Sequence, residues 1–434
     1  MRKTTSKMWA AAAGVTGIAL LATACSGNSD TPSDEGSDGA AGENITLTLG
    51  TFNEPGYTDE MFAEYEAANP GITIENKKAA TSNEARDNLN TRLASGSGAT
   101  DIEMIEIDWL PELMQYPDKF VDLTDASLDG RWLDWKVAQA TTPDGVLLGY
   151  GTDIGPEAIA FRGDLLAAAG LPSTREEVAA ALGGADATWD DYFNFGKQYT
   201  DATGKPFFDA AGAIYQGMIN QVENAYEDND GTIIAATNPE VKDIYDAVTK
   251  ASVTDNLSAH LGQWSDDWTA SFQTDGFATM LAPGWMLGVI EGNSAGVTGW
   301  DIADVFPGGA GNWGGSFLTV PAQSKHADEA KKLAAWLTAP EQQIQAYKNK
   351  GTFPSQVEAL ASEELLSSTN AFFNNAPAGQ ILANRAEGII APFKGKNYFA
   401  VNDAMQSSLT EVDVNGGDPA AAWETFTAAV SALG

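Results

Sequence analysis

The sequence predicts an α/β fold built from two discontinuous domains that close about a hinge. Strand-like apolar runs alternate with helical patterns along most of the chain, which is typical of a parallel sheet covered by helices. Segments rich in glycine and proline interrupt this pattern at several places. A chain that passes more than once between two domains would need such breaks, so we expect the two halves to move about them.

The first elements form a β-α-β unit, with its ligand crevice expected at the carboxyl ends of the strands. They are a strand, a helix and a strand at 45–50, 57–69 and 72–75. Later strands are expected at 102–107, 146–150, 158–161, 277–282 and 317–320, and later helices at 82–94, 164–169 and 327–337. From Thr188, whose hydroxyl can cap a helix together with Asp191, helical patterns predominate to about residue 273.

The breaks in the pattern define the expected lobes. The segment 151–156 (GTDIGP) suits a crossing between lobes, and the glycine-rich stretches at 292–299 and around Gly351 suit return crossings. We therefore expect an N-terminal lobe of residues 44–152 plus about 300–352. The C-terminal lobe would then comprise residues 153–299 plus about 353–434.

The first 43 residues have the composition of an export leader and a leash. Residues 1–24 combine a basic start with an apolar run, which predicts a signal peptide, and Cys25 follows as the single cysteine of the chain. We expect Cys25 to carry a lipid anchor, with a cleaved signal and a chance cysteine as the alternative. Residues 25–43 are rich in Ser, Gly and Asp and predict a flexible linker. The folded body would then lie at the extracellular face of the cell membrane.

Composition excludes several kinds of partner. The chain has 60 acidic and 24 basic residues and a formal net charge of −36, so a nucleic acid or another polyanion is not expected to bind. One cysteine permits no internal disulfide bond, and two histidines provide no cluster for a transition metal. We expect a monomer with no metal and no cofactor.

Candidate ligand residues follow or precede probable strands. Sugars present hydroxyl groups at their edges and C–H groups on their faces, so a sugar site needs flat aromatic rings together with carboxylates and amides. The candidates are Asn53, Glu54, Asp108, Trp109, Asp153, Trp285 and Trp313, with Gly314 and Gly315 allowing close approach of the backbone. Each has an alternative: the tryptophans could pack in a core, and Asp108 and Asp153 could cap helices or form turns.

Several segments resemble the solute-binding lipoproteins of bacterial ABC carbohydrate importers. The segments that carry the resemblance include FAEYEAANPGITIE, IEMIEIDWLPELMQ, GYGTDIGPEAIAFRGDLLAAAGLP, FATMLAPGWMLGVIEG and NWGGSFLTVPAQSKHADEAKKLAAWLTAPEQQ. Within that family, LDWKVAQA, GTDIGP and NWGGSFLTVP are most similar to cellobiose- and cello-oligosaccharide-binding proteins. The opening loop TFNEPGY and Glu157 depart from those members near the expected cleft.

The resemblance implies a two-lobed, periplasmic-binding-protein-like fold that closes on an oligosaccharide and presents it to the transmembrane subunits of an ABC permease. It implies that Trp313 stacks on sugar, that Trp285 lines the cleft, and that Asp153 and the loop around Asn53 add polar contacts. It supplies no catalytic residues.

Two other functions remain open from the sequence. Glu54, Asp108 and Asp153 could in principle supply the acid and the nucleophile of a surface glycosidase. The acidic composition also suits a protein that binds a cationic small molecule such as a polyamine.

Overall fold

The computed structural model describes residues 44–434. The predicted signal peptide of residues 1–24, the linker of residues 25–43 and the lipid-attachment site at Cys25 lie outside the described residues. No helix in the range 44–434 is long and apolar enough to cross a membrane.

Strands and helices alternate in the first half of the described chain, and helices dominate its end. The strands are β1 (Ile45–Phe52), β2 (Ile72–Ala79), β3 (Ile102–Glu106), β4 (Gly149–Gly151), β5 (Asp153–Ile154), β6 (Glu157–Arg162), β7 (Thr279–Pro283), β8 (Trp300–Ala303), β9 (Ser316–Thr319) and β10 (Phe353–Pro354). The α-helices are α1 (Asp59–Ala68), α2 (Ser82–Ser95), α3 (Leu110–Leu113), α4 (Asp134–Gln139), α5 (Gly163–Ala168), α6 (Arg175–Ala181), α7 (Trp189–Thr203), α8 (Ala211–Ile219), α9 (Pro239–Thr249), α10 (Asp266–Ser271), α11 (Gly284–Asn293), α12 (Ala327–Leu337), α13 (Pro340–Lys350), α14 (Val357–Leu360), α15 (Glu363–Leu366), α16 (Ala378–Ala386), α17 (Tyr398–Asp413) and α18 (Pro419–Ser431).

A mixed five-stranded sheet forms the first body of the structure, in the order β2-β1-β3-β9-β4. β1 pairs in parallel with β2 along its full length, and β3 also runs parallel to β1. β9 joins β3 and β4 antiparallel. The predicted β-α-β opening is confirmed, and residues after β3 and before β9 meet at the same end of the sheet because these strands run in opposite directions.

A second sheet of three strands, in the order β7-β6-β8, lies under the helices α7, α8, α9 and α17. All six residues of β6 are buried, as expected for a central strand covered on both faces. The strand at 300–303 pairs with β6. This strand therefore belongs with the sheet that the sequence assigned to the C-terminal lobe, just past the expected boundary at about residue 300.

Helix starts follow the capping chemistry that the sequence predicts. Thr188 accepts a hydrogen bond from the backbone of Asp191, and the Asp191 side chain accepts one in return, which confirms the predicted capping box at α7. α12 spans the predicted residues 327–337 and buries Leu333 and Leu337 on one face.

The two segments that flank the expected crossings pair with each other. β5 and β10 form a short antiparallel pair, Ile154 opposite Phe353. The buried side chain of Gln343 donates to the carbonyl oxygen of Gly151 at 2.8 Å and accepts from the backbone nitrogen of Ser355 at 2.9 Å. One amide therefore ties both segments to α13.

A buried carboxylate holds the helical part of the second body together. Asp413, at the end of α17, accepts hydrogen bonds from the Ala211 backbone, Ser252, Ser258 and His260. Burial would raise the pKa of Asp413, but these hydrogen bonds outweigh it and lower the pKa below its usual value. The hydrogen bond with Asp413 raises the pKa of His260, because the carboxylate favours the protonated imidazole.

We predict that Asp413→Asn lowers the free energy of unfolding by about 2 to 4 kcal/mol, because an amide cannot accept all of these hydrogen bonds. Urea unfolding followed by circular dichroism measures the change. Asp403→Asn, an exposed position on the same helix, is the matched control and should change the value by less than about 0.5 kcal/mol. Equal effects of the two variants would contradict the role given to Asp413.

The His260 interaction should depend on pH. Since the folded-state pKa of His260 is raised, its stabilising contribution is present below the unfolded pKa of about 6.5 and is lost as pH rises through the folded pKa. We therefore predict that the stability lost in His260→Gln is larger at pH 5.5 than at pH 8.5. A loss that grows with pH would contradict this assignment.

Candidate functional site

The site is built where two segments of backbone pack in direct contact. Gly155, between β5 and β6, lies against the glycine-rich loop 308–316, and a Cβ atom at Gly155 would fall 1.8 Å from the carbonyl oxygen of Trp313. Trp313 donates its backbone N–H to Gly155 O at 2.8 Å, and Gly155 donates to the Asn312 side chain at 2.8 Å. The position of Trp313 therefore depends on the missing side chain at residue 155.

Asp153 fixes the other end of the same loop. Its carboxylate accepts from the Ser316 backbone at 2.9 Å and from the Thr152 hydroxyl at 2.7 Å. Burial raises the pKa of Asp153, although nearby Lys136 opposes the shift. The sequence assigned Asp153 to polar contacts with the ligand, and the structure shows one of its oxygens engaged by the protein itself.

Lys136 is a buried cation beneath this loop. Its Nζ lies 3.8 Å from the centroid of the Phe317 ring, and burial lowers its pKa to about 7. A Cβ atom at Gly315, where φ is 107°, would come within 2.9 Å of this Nζ. Gly315 thus allows the loop to close over the lysine, a role in packing that the sequence did not assign to it.

The two tryptophans singled out from the sequence are neighbours. Trp285, at the start of α11, donates its indole N–H to the carbonyl oxygen of Trp313 at 2.9 Å, and the two rings meet edge to face with centroids 5.6 Å apart. Both side chains are only partly buried. Gly314 follows in the left-handed region, with its Cβ position 3.3 Å from the Trp285 indole nitrogen. The structure therefore brings Trp285, Trp313 and Gly314 together.

A third tryptophan, which the sequence analysis missed, extends this pair. Trp264 is 45% exposed and lies nearly parallel to Trp285, with an interplanar angle of 22° and centroids 6.1 Å apart. Its spacing of four from Trp268 imitates a helix. Ser265, however, caps α10 by accepting a hydrogen bond from the backbone nitrogen of Trp268, so Trp264 lies outside that helix. Because serine is a common helix cap, Ser265 was a sequence signal that the helix begins after Trp264.

The loop that carries Trp264 is anchored by hydrogen bonds to Asp209. Trp264 has φ of 71°, which is uncommon for a bulky residue and costs conformational energy. Its neighbour Gln263 and the buried Trp268 both donate to one carboxylate oxygen of Asp209 at 2.9 Å. Burial raises the pKa of Asp209 to about 6. A strained and anchored loop that exposes an indole is typical of a binding surface.

Charged groups lie beside the indoles at the end of β3. The Glu106 carboxylate is 3.9 Å from the Cβ position of Gly314 and accepts from the backbone of Asp108 at 2.9 Å. Asp108 forms an ion pair with buried Lys394. Burial, reinforced by the charge of Asp108, raises the pKa of Glu106. For Lys394, burial is outweighed by Asp108, Tyr398 and Glu106, which raise its pKa.

Three other predicted residues have contacts or backbone roles of their own. The structure departs from the prediction at Trp109, whose indole is buried in the core of the five-stranded sheet and donates to Ser82 at 2.9 Å. Glu54 pairs with Lys78 and Lys350. Burial would raise the pKa of Glu54, but both lysines together lower it. Asn53 forms the turn after β1, with φ of 49°.

A surface groove of about 730 Å³ is lined by residues of α5, of the turn that follows it and of α6. Its lining consists of small and aliphatic residues with Ser173 and Glu177, and it contains no aromatic ring. We assign no ligand to it. Within residues 44–434, no three His, Cys, Asp or Glu side chains form a group that could hold a metal ion.

We predict that Gly155→Ala displaces the loop 308–316, because even one methyl group would overlap the Trp313 carbonyl. The expected result is a lower melting temperature together with a changed tryptophan fluorescence spectrum. Gly292→Ala, in α11 with open space around it, is the control and should be neutral or slightly stabilising. Indistinguishable spectra and melting temperatures for Gly155→Ala and the wild type would contradict the packing described.

Comparisons with known proteins agree with this architecture. The family model described as bacterial extracellular solute-binding protein matches residues 60–374. An arabinooligosaccharide-binding protein from Bacillus subtilis (strain 168) is 25% identical over 401 residues, covering 87% of this chain and 89% of the relative. A solved extracellular solute-binding protein of family 1 is 47% identical, with a TM-score of 0.79, covering 89% of this chain and 99% of its own.

More distant structures share the fold alone. A binding protein associated with an ABC transporter of B. animalis subsp. lactis Bl-04, in complex with beta-1,6-galactobiose, has a TM-score of 0.76 at 20% identity and covers 89% of this chain and 96% of its own. Maltose-bound T. maritima MalE3 has a TM-score of 0.70 at 18% identity, and the match covers 89% of this chain and 99% of MalE3. The predicted two-lobed α/β fold is confirmed, and the chain belongs to the family of bacterial extracellular solute-binding proteins.

Proposed function

We propose that this protein captures an oligosaccharide between its two lobes and delivers it to the permease of an ABC importer. Arabinooligosaccharides come first among the candidate sugars of this proposal, and two relatives named as arabinooligosaccharide-binding proteins support that choice. The cello-oligosaccharides suggested by the sequence resemblance come second. In this proposal the protein is a monomer, acts outside the cell membrane and is anchored by a lipid on Cys25.

The observation that carries the proposal is the row of three partly exposed indoles, Trp264, Trp285 and Trp313. Sugar rings stack their C–H faces on such rings, while polar side chains at the rim accept their hydroxyl protons. The centroids of neighbouring indoles are 5.6 to 6.1 Å apart. A row of that extent suits an oligosaccharide better than a single sugar.

The charges beside the indoles favour a neutral ligand. Lys394 pairs with Asp108, and Lys136 lies close enough to Asp153 to oppose its pKa shift. Two of the acidic groups near the indoles are thus engaged by lysines, which weakens their attraction for a polyamine. The same contacts argue against a glycosidase, because Glu54 and Asp108 each pair with a lysine and Asp153 holds the loop through Ser316.

The experiment is calorimetric titration of the protein with arabinotriose, cellobiose, beta-1,6-galactobiose and maltose. A disaccharide of roughly 23 heavy atoms, at about −0.3 kcal/mol each, should bind with micromolar affinity. The sugar recovered afterwards should be intact and stoichiometric with the protein. Release of shorter sugars would favour the glycosidase, and no binding to any of the four would count against the proposal.

We predict that Trp313→Ala weakens binding of the preferred sugar by about 2 to 4 kcal/mol while leaving the melting temperature of the free protein nearly unchanged, since the ring is only partly buried. Trp264→Ala should weaken binding of a trisaccharide more than that of a disaccharide. Tyr116→Ala removes another exposed aromatic ring, distant in sequence from the indoles, and serves as the control. Unchanged affinity in Trp313→Ala would remove that residue from the site.

A further inference from the structure

Glu157, the first residue of β6, has a buried carboxyl group without a partner. The residue has 0% exposure, and neither of its carboxylate oxygens has a hydrogen-bond partner among the described residues. Buried polar atoms in native proteins are almost always paired with protein groups, ordered water or a ligand. The position of this carboxyl group therefore needs an explanation.

The carboxyl group occupies a slot next to the loop that carries Trp313. A Cβ atom at Gly311 would lie 2.4 Å from Glu157 Oε2, and one at Gly217 on α8 would lie 3.4 Å from Oε1. Glu157 also donates its backbone N–H to the Gly311 carbonyl at 3.2 Å. Gly311 therefore makes room for this side chain, which lies between α8 and the segment that leads into Asn312 and Trp313.

The same helix, α8, and the residue that follows it carry further polar atoms without partners among the described residues. The Gln216 side-chain nitrogen and both amide atoms of Asn220, just after the helix, are buried and unpaired within the described chain. The Gln216 oxygen accepts from Asn402 at 3.2 Å, which fixes the orientation of that amide. Residues 216 and 220 are four apart, so they lie on one face, with Gly217 between them in sequence.

The chemistry of these atoms fits hydroxyl groups. The two amides offer both donors and acceptors. Burial raises the pKa of Glu157, and the nearby charge of Lys394 opposes that shift. A carboxyl group accepts hydrogen bonds when it is ionised and can also donate one when it is protonated. Adjacent hydroxyl groups on a sugar ring need this mixture of donors and acceptors.

We propose that Glu157, Gln216 and Asn220 form a polar wall that hydrogen-bonds the hydroxyl groups of one unit of the bound sugar and so selects which oligosaccharide is taken. This inference rests on the proposed function and adds to it the residues that determine specificity. Without a sugar, buried water molecules would have to supply the hydrogen bonds of these three side chains.

The test compares Glu157→Met and Glu157→Gln by calorimetry against arabinotriose, cellobiose, beta-1,6-galactobiose and maltose. Glu157→Met should weaken binding of the sugar preferred by the wild type about 10- to 100-fold and change the order of preference, because it removes both polar atoms. Glu157→Gln retains a donor and an acceptor and should stay within about fivefold. The melting temperature of free Glu157→Met should be unchanged or higher, since a buried unpaired group is lost.

Two further variants keep the test decisive. Asn220→Leu leaves Glu157 intact and should also weaken binding at least tenfold, which covers the case of a Glu157→Met that fails to fold. Gln139→Leu is the control, because its side-chain amide in α4 is likewise buried and unpaired but belongs to the body of the five-stranded sheet. It should leave affinity within about twofold.

The outcomes separate this inference from the proposed function. Wild-type affinities and an unchanged order of preference in Glu157→Met and Asn220→Leu would show that water satisfies these groups, and would overturn the polar wall while the proposed function stands. Failure of the wild-type protein to bind any of the four sugars would overturn the proposed function and the wall with it.

Discussion

Direct backbone contact between Gly155 and the Trp313 peptide is the constraint on which the rest of the site depends. A hydrogen bond from Trp313 N to Gly155 O and another from Gly155 N to Asn312 lock the glycine-rich loop onto the segment between β5 and β6. The loop in turn presents the Trp313 carbonyl oxygen that receives the Trp285 indole N–H. Trp285 in turn stacks against Trp264, whose own loop is anchored through Asp209. Because this packing has no space for a methyl group, we expect the loop to be preorganised, which reduces the conformational entropy that the protein loses when a ligand binds.

Two buried lysines lie among the acidic groups around this loop, in a chain that is strongly acidic as a whole. Lys136 lies under Gly315, and Lys394 joins Asp108 to the segment before α17. A buried ion pair of this kind contributes little net stability but strongly disfavours arrangements that separate its partners. In the proposed function, the Lys394 contact would also favour the arrangement in which these segments are together. The acidic surface then affects solubility and long-range repulsion, while the site itself suits an uncharged ligand.

Sequence patterns predicted the elements well where local physics decides them. The 3.6-residue period defined α12, the threonine cap defined the start of α7, and the alternation of strands and helices gave the fold class. Patterns failed where three-dimensional packing decides. Asp108 and Trp109 are adjacent in the turn after β3, yet Trp109 packs in the core while Asp108 pairs with Lys394. No local pattern in the sequence shows which of the two side chains is buried. Trp264 was not singled out, although Ser265 is a residue type that caps a helix beginning after it. Nothing local in the sequence shows that Glu157 lies against α8, because that contact joins residues about 60 positions apart and forms only when β6 packs under the helix.

A crystal structure of the wild-type protein with arabinotriose tests the central claim most directly. The account predicts an intact sugar with one ring lying flat against the indole of Trp313, and with hydroxyl groups reaching into the space between Trp285 and the end of β3. A sugar bound at a site away from these indoles, or cleaved in the crystal, would contradict it.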